Sequence, residues 1–134
     1  MYSSQITSAV RNAIASNLRK KSELSIGMEV ENIVYDSDFK RIPVNSSDGF
    51  STHDLRDKLE QANTRAKIET LLTIEPGGQM EYASAPHTTL QALDCEWRHY
   101  MKNFLAVAKD ERLIVSDFAL EPFVPADDIT IIDH

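Results

Sequence analysis

Residues 74–82 read Ile-Glu-Pro-Gly-Gly-Gln-Met-Glu-Tyr. This stretch is the most informative in the chain, because it combines a turn signal with two carboxylates and a carboxamide. The Pro76-Gly77-Gly78 tripeptide predicts a tight turn, because proline fixes one backbone angle and glycine tolerates conformations that other residues avoid. An apolar run precedes the turn and a second extended run follows it, which predicts a strand on each side. The stretch therefore predicts a β-hairpin that carries Glu75, Gln79 and Glu81.

The hairpin is expected to contribute to a cluster of carboxylates. Alternate residues of a strand point to the same face, so Gln79 and Glu81 project together, and the turn brings Glu75 toward them. Glu29 and Glu31 share one phase of an earlier alternating segment and predict a second row. Such a cluster is costly without a cation, and Mg²⁺ or a cationic substrate group would stabilise it. The structural alternative is an ordinary solvated sheet face.

Hydrophobic periodicity divides the rest of the chain into helices and strands. The helices are predicted at residues 3–21, from Ser51 or Thr52 to about Thr64, and from Thr88 or Thr89 to about Lys109. The strands are predicted at residues 24–35, 66–74, 80–83 and 112–119, with further short strands near 41–44 and 129–132. This order predicts an α+β fold, a mostly antiparallel sheet backed by helices, in a single domain over residues 1–134.

Composition excludes several classes of function. The formal net charge of −7 argues against a nucleic-acid partner, because binding to phosphates needs a basic surface. No apolar run approaches the roughly 18 residues of a membrane span, and the N-terminus lacks the pattern of a signal peptide. The chain has 1 cysteine and therefore no internal disulfide, which favours a reducing compartment. We predict a soluble cytoplasmic domain with no nucleic-acid or membrane partner.

The cysteine, the histidines and the aromatic residues of the third helix are interpreted as parts of the structure rather than as catalytic or metal-binding residues. Cys95 falls inside the predicted third helix and is interpreted as a buried thiol. Trp97 and Tyr100 belong to the apolar stripe of that helix. His87, beside a proline at the start of the helix, is interpreted as a helix-capping residue rather than a catalytic one. The histidines show no zinc-type spacing with one another; they are His53, His87, His99 and His134.

Two motifs resemble the glutamate–cysteine ligase family of the plant and proteobacterial type. Residues 25–31, Ser-Ile-Gly-Met-Glu-Val-Glu, are similar to the family pattern IGxExE. Residues 74–86, Ile-Glu-Pro-Gly-Gly-Gln-Met-Glu-Tyr-Ala-Ser-Ala-Pro, are similar to the family pattern EPGGQxELSGAP. Tyr82 stands where the family has leucine, and Ala85 stands near the usual glycine. The resemblance covers roughly residues 22–110, and the second motif is the long and specific one.

The resemblance implies part of a glutamine-synthetase-like catalytic domain of the EC 6.3.2 class, active in glutathione biosynthesis. Such enzymes use ATP and Mg²⁺ to phosphorylate the γ-carboxylate of glutamate, and the amine of cysteine then attacks the acyl phosphate to give γ-glutamylcysteine. Glutamate, cysteine and ATP are therefore the expected ligands. Carried over by motif, Glu29, Glu31, Glu75 and Glu81 are metal ligands, and Gln79 and Glu75 belong to the glutamate site. No residue is assigned a catalytic role.

Family members are much longer than this chain, which predicts that the chain corresponds to their N-terminal portion. It would then be an excised part, a shortened reading frame or one partner of a split enzyme, and it would be inactive alone. Two alternatives are a non-enzymatic remnant that binds a ligand or partner, and a related ligase that uses another amine acceptor. An exposed sheet edge would favour a homo-oligomer or a complementary chain.

Overall fold

A computed structural model describes residues 2–20, 23–45, 49–118 and 120–129. The helices are α1 (Tyr2–Ser16), α2 (Thr52–Ala66) and α3 (Leu90–Asp110), and the strands are β1 (Glu29–Tyr35), β2 (Thr70–Ile74), β3 (Met80–Ser84) and β4 (Ile114–Ser116). A short 3-10 helix follows at Ala126–Asp128. The predicted α+β class and the mostly antiparallel sheet are confirmed.

The 4 strands form one sheet in the order β2-β3-β1-β4, and every neighbouring pair is antiparallel. The central strand β1 pairs with β3 so that Glu31 lies opposite Glu81, and β3 pairs with β2 so that Glu81 lies opposite Thr73. On its other side β1 pairs with the short strand β4. This register places one polar side chain from each of three strands in a single row across the sheet.

The predicted hairpin is present, with β2 and β3 joined by Pro76-Gly77-Gly78. The backbone N–H of Glu75 donates to the carbonyl of Gln79 at 3.0 Å, and the N–H of Gly78 donates to the carbonyl of Glu75 at 2.7 Å. Gly78 has a φ of 81°, in the left-handed region that glycine adopts without steric cost. A turn followed by a left-handed glycine is a common way to close a three-residue hairpin loop.

The hydrophobic core lies between one face of the sheet and the helices α2 and α3. An aromatic stack runs through it, since the rings of Tyr82 and Tyr100 lie 4.3 Å apart and the ring of Phe104 lies 5.6 Å from that of Tyr100. Trp97 packs against both tyrosines, as the apolar stripe of α3 predicts. The buried residues of this core are Val34, Ile42, Leu55, Leu59, Leu72, Met80, Tyr82, Tyr100 and Phe104.

Both packed helices begin at polar side chains that satisfy their free N–H groups. Ser51 and Asp54 form a reciprocal capping box at the start of α2, which confirms the predicted boundary. The Oγ1 of Thr89 accepts from the N–H of Ala92 at 3.2 Å and begins α3. At the other end of α2, Lys67 adopts the left-handed conformation with a φ of 57°. The chain therefore turns sharply before it enters β2.

Several predicted boundaries are wrong for local reasons. The first helix ends at Ser16, because the side chains of Ser16 and Asn17 both donate to the carbonyl of Ala13. β2 begins at residue 70 rather than 66, because α2 continues through Ala66 and needs a left-handed residue to end.

The remaining differences concern strand length. β1 begins at residue 29 rather than 24, and before it only Ile26 forms an isolated bridge, to His87. β4 covers Ile114–Ser116 rather than residues 112–119. The short strand predicted near 41–44 is reduced to a bridge between Arg41 and Tyr35. Of the segment 129–132, residues 130–132 lie outside the described part of the chain, and Ile129 follows the 3-10 helix.

Candidate functional site

The four glutamates selected from the sequence lie on the face of the sheet that α2 and α3 leave open. Glu29 and Glu31 are exposed on β1, and Glu81 is half-buried on β3, directly across from Glu31. Residues paired across antiparallel strands share a face, so these side chains point the same way. Glu75 joins them from the end of β2. We call Glu29, Glu31, Glu75 and Glu81 the acidic face.

The other carboxylates of the acidic face affect the pKa of Glu75. Partial burial raises the pKa of the Glu75 carboxyl, and the negative charges of Glu81 and Glu31 raise the pKa further. A hydrogen bond with the carboxyl of Glu81 and the charge of Glu29 act in the same direction. Neighbouring carboxylates disfavour each other's ionised form. A proton or a cation is therefore favoured at this position.

Neutral side chains hold two members of the site in place. The hydroxyl of Thr73 donates to Oε2 of Glu81 across the β2–β3 pair, which fixes the orientation of that carboxylate. The carboxamide of Gln79 lies against its own loop, because a Cβ placed on Gly77 would stand only 2.9 Å from Gln79 Oε1. Gly77 therefore leaves room for the Gln79 carboxamide to lie against the turn.

The Pro-Gly-Gly loop is fixed from both sides. A Cβ on Gly78 would stand 2.7 Å from Cγ2 of Val44, so only glycine permits this packing. The hydroxyl of Thr52 lies 3.5 Å from the carbonyl of Gly78, at the buried start of α2. Arg41 donates from Nη2 to the carbonyl of Gly77. The loop is therefore a rigid support for the carboxylates at its ends.

Arg41 also links the loop to the C-terminal part of the chain. Its Nη1 lies 3.4 Å from Oε2 of Glu121, and Oε1 of Glu121 accepts from the hydroxyl of Tyr35 at 2.9 Å. Burial and the hydrogen bond to Glu121 raise the pKa of Tyr35 to about 12. This group has no signature in the sequence, because its members come from three separate segments and form no local motif.

A cavity of about 380 Å³ opens beside the loop, within the usual range for small-molecule sites. Its lining includes Arg41, Val44 and Gly77 together with two aromatic rings, Phe39 and Phe123. The centroids of these two rings lie 6.0 Å apart in an edge-to-face arrangement. The cavity therefore offers apolar surface and two cationic residues, Lys40 and Arg41, next to the acidic face.

The acidic face is a set of neighbours rather than a formed metal cage. In residues 2–20, 23–45, 49–118 and 120–129, no group of three or more His, Cys, Asp or Glu side chains is placed to hold a metal ion. The structure brings together Glu29, Glu31, Glu75 and Glu81, but their assignment as metal ligands stays a prediction. The same holds for Gln79 and Glu75 as glutamate-site residues.

A second polar group joins the end of the hairpin motif to α3. Glu96 accepts from the hydroxyl of Tyr82 at 2.7 Å and from the N–H of Ala85 at 3.2 Å, and its other oxygen lies 2.5 Å from Nε2 of His87. The interpretation of His87 as the cap of α3 is wrong, because Thr89 takes that role. Glu96 instead anchors residues 82–87 to the helix.

The interpretation of Cys95 as a buried thiol is also wrong. Cys95 is exposed, and its Sγ lies 3.7 Å from Nδ1 of His99. The two residues are four positions apart in α3, where side chains lie one above the other on the same face. That spacing is visible in the sequence and was the signal that would have found this pair.

A comparison with protein-family models found no matching family, and a comparison with the curated proteins found no match. The family resemblance therefore rests on the two motifs at residues 25–31 and 74–86. In the part of the chain that the structure describes, no helix has both the length and the apolar character needed to cross a membrane.

Proposed function

We propose that this chain is part of an ATP- and Mg²⁺-dependent carboxylate–amine ligase of the cytoplasm that joins glutamate to cysteine. The observation that carries the proposal is the convergence of Glu29 and Glu31 with Glu75 and Glu81 on one open sheet face. These four residues come from the same two motifs that resemble the ligase family. A shared surface for two distant motifs is what a common site requires.

The proposed reaction has two steps. An oxygen of the γ-carboxylate of glutamate attacks the terminal phosphorus of ATP, which forms an acyl phosphate and releases ADP. The amine of cysteine then attacks the acyl carbon, phosphate leaves, and an amide bond remains. Because the charge in such transfers lies on phosphate oxygens, positioning and electrostatic stabilisation supply most of the catalysis.

Glu29, Glu31, Glu75 and Glu81 would hold Mg²⁺ in this proposal, and the ion would neutralise the phosphates during transfer. The raised pKa of Glu75 supports the fit, because a cation would relieve the repulsion among these carboxylates. Since no three-carboxylate set is formed in the described residues, the remaining ligands would be water, substrate phosphates and groups from outside this chain.

Gln79 and Glu75 are the proposed glutamate-site residues. The carboxamide of Gln79 can both donate and accept, so it can bind a substrate carboxylate or ammonium group, whereas a carboxylate only accepts. The rigid loop places the two residues next to each other, with the backbone N–H of Glu75 bonded to the Gln79 carbonyl. A related ligase with another amine acceptor would use these residues in the same way.

A second candidate function is a non-enzymatic module that binds a cationic ligand or partner. The specific observation in its favour is the lack of a formed three-ligand metal group in the described residues. An open carboxylate surface beside a cavity would accept an amine or a basic segment through charge-assisted hydrogen bonds. The two candidates differ in which cation the acidic face selects.

The test measures Mn²⁺ binding to the tag-free chain by electron paramagnetic resonance, with Mg²⁺ as competitor. We expect weak binding that Mg²⁺ displaces and that Glu31→Gln and Glu81→Gln both abolish. Glu60→Gln is the matched control, because Glu60 is an exposed glutamate on α2 that forms a long ion pair, 3.7 Å, with Arg56. The chain alone should form no γ-glutamylcysteine from ATP, glutamate, cysteine and Mg²⁺.

Two outcomes would count against the proposal, and a third would revise it. Mn²⁺ binding that is equal in all the variants would remove the acidic face as its site. Displacement of Mn²⁺ by a polyamine but not by Mg²⁺ would favour the binding module. Appreciable turnover by the chain alone would refute the view that these residues form an incomplete site.

A further inference from the structure

A cleft on the opposite side of the fold from the acidic face carries a second group of reactive side chains. It lies between α3 and the connection from α2 to β2, and its volume is about 540 Å³. Cys95, Glu96 and His99 line it from α3, and His87 lines it from the segment before the helix. Lys67 and Glu69 are among the residues that face them.

Cys95 and His99 are spaced to bind one metal ion between them. Their Sγ and Nδ1 atoms are 3.7 Å apart. In a tetrahedral zinc site the Zn–S bond is about 2.3 Å and the Zn–N bond about 2.0–2.1 Å, which puts the two ligand atoms about 3.6 Å apart. The observed separation therefore matches the ligand spacing of such a site, and both residues are exposed to solvent.

We propose that Cys95 and His99 form a two-ligand chelate for Zn²⁺. A thiolate and an imidazole are ligands that select zinc-type cations, whereas Mg²⁺ prefers oxygen ligands. On binding, the Cys95 thiol releases its proton to solvent and the thiolate sulfur bonds the metal. His99 stays neutral, bonds through the Nδ1 lone pair and keeps its proton on Nε2. This site is independent of the proposed ligase function.

The surroundings make the chelate open rather than closed. Nε2 of His87 lies 2.5 Å from the carboxylate of Glu96, so that nitrogen is not available to bind the metal. Since no three-ligand group exists in the described residues, Cys95 and His99 fill two of the four positions and solvent fills the others. Glu69 and Glu96 favour a cation in the cleft, and Lys67 opposes it. The site should therefore exchange its metal readily.

The test uses Co²⁺ as a spectroscopic probe on the tag-free chain, reduced with a phosphine that does not bind the metal. We expect one Co²⁺ per chain, a thiolate-to-cobalt charge-transfer band in the near ultraviolet, and loss of that band when Zn²⁺ is added. Excess Mg²⁺ should leave the band unchanged. Cys95→Ser should abolish the band, and His53→Ala, which changes a histidine on α2, should preserve it.

A double variant separates chelation from binding to sulfur alone. His99→Ala combined with Lys102→His moves the imidazole seven residues from Cys95, about 10 Å along the helix, while it keeps the number of histidines constant. We expect this variant to bind Co²⁺ more weakly than the parent, although its thiol remains. The proposal is overturned if the double variant binds Co²⁺ as the parent does, or if the parent shows no thiolate band.

Discussion

The two faces of the four-stranded sheet use neighbouring residues of the same strands for opposite purposes. On β3, Tyr82 is fully buried against α3, whereas Glu81, one residue before it, points to the open face. On β1, Val34 belongs to the core, whereas Glu31 is exposed. Because side chains alternate along a strand, a single strand supplies both a packed surface and a charged one.

The face covered by the helices stabilises the fold, whereas the acidic face destabilises it. Apolar burial on the helix-covered face contributes roughly 25 cal/mol for each Å² removed from water, before the opposing loss of chain entropy. The acidic face contributes mutual repulsion instead, since the charges of Glu81 and Glu31 add to the effect of burial in raising the pKa of Glu75. A strongly packed face therefore supports a face whose residues repel one another, which is the arrangement expected of a binding surface.

The largest predicted effect comes from opening the core beneath the covered face. Phe104 is fully buried and packs on Tyr100, so Phe104→Ala should lower the free energy of unfolding by about 3–5 kcal/mol. Leu71→Ala is the matched change on the open face, where Leu71 is 63% exposed, and it should stay within about 0.5 kcal/mol of the parent. Chemical denaturation measures both, and similar losses would contradict the contrast between the faces.

The second largest predicted loss of stability concerns the Pro-Gly-Gly loop, which joins β2 to β3. Gly78→Ala should cost about 2–5 kcal/mol, because the residue is left-handed and its new Cβ would overlap Val44. Gly27→Ala is the control, since a Cβ there would meet only the Ser84 hydroxyl oxygen at an ordinary 3.5 Å. Thermal unfolding monitored by circular dichroism compares the two. Equal melting temperatures for both variants would show that the loop is not rigid.

Local signals in the sequence were enough to predict the elements that form the covered face. The Pro-Gly-Gly turn, the capping residue Ser51 and the aromatic stripe of α3 each act over a few neighbouring residues, and each prediction is confirmed. The predicted start of β1 was wrong, because apolar and polar residues also alternate through residues 24–28, where Ile26 forms a single isolated bridge. Periodicity shows which side chains share a face but not whether a partner strand is present.

The site could be predicted only in part. The phase of Glu29, Glu31 and Glu81 follows from alternation, but the register that sets Glu31 opposite Glu81 depends on tertiary packing. The hydrogen bond from Arg41 to the carbonyl of Gly77 joins residues 36 positions apart, and no local sequence pattern predicts it. Cys95 differs from these cases, because its helical spacing to His99 was readable. Its exposure was readable as well, because Cys95 lies on roughly the opposite side of α3 from the buried residues Leu93 and Tyr100.

The smallest predicted effect tests the acidic face directly through pH. The pKa of Glu75 is raised above its ordinary value in the folded chain, mainly by partial burial and by the charge of Glu81. A raised folded-state pKa means that the folded state holds the proton more tightly than the unfolded state does. Stability is therefore greatest below the ordinary glutamate pKa and is lost as pH rises through the raised value.

Glu75→Gln should remove that loss, because the carboxamide cannot ionise. The variant should match the parent in acid and be slightly more stable at neutral pH, by less than either substitution above changes stability. Denaturant unfolding across a pH series measures the difference, with Glu60→Gln as the matched substitution outside the acidic face. An identical decline in Glu75→Gln and the parent would show that ionisation of Glu75 does not cause the loss of stability. Added Mg²⁺ should stabilise the parent more than the variant, since the parent has one more carboxylate whose repulsion the cation can relieve.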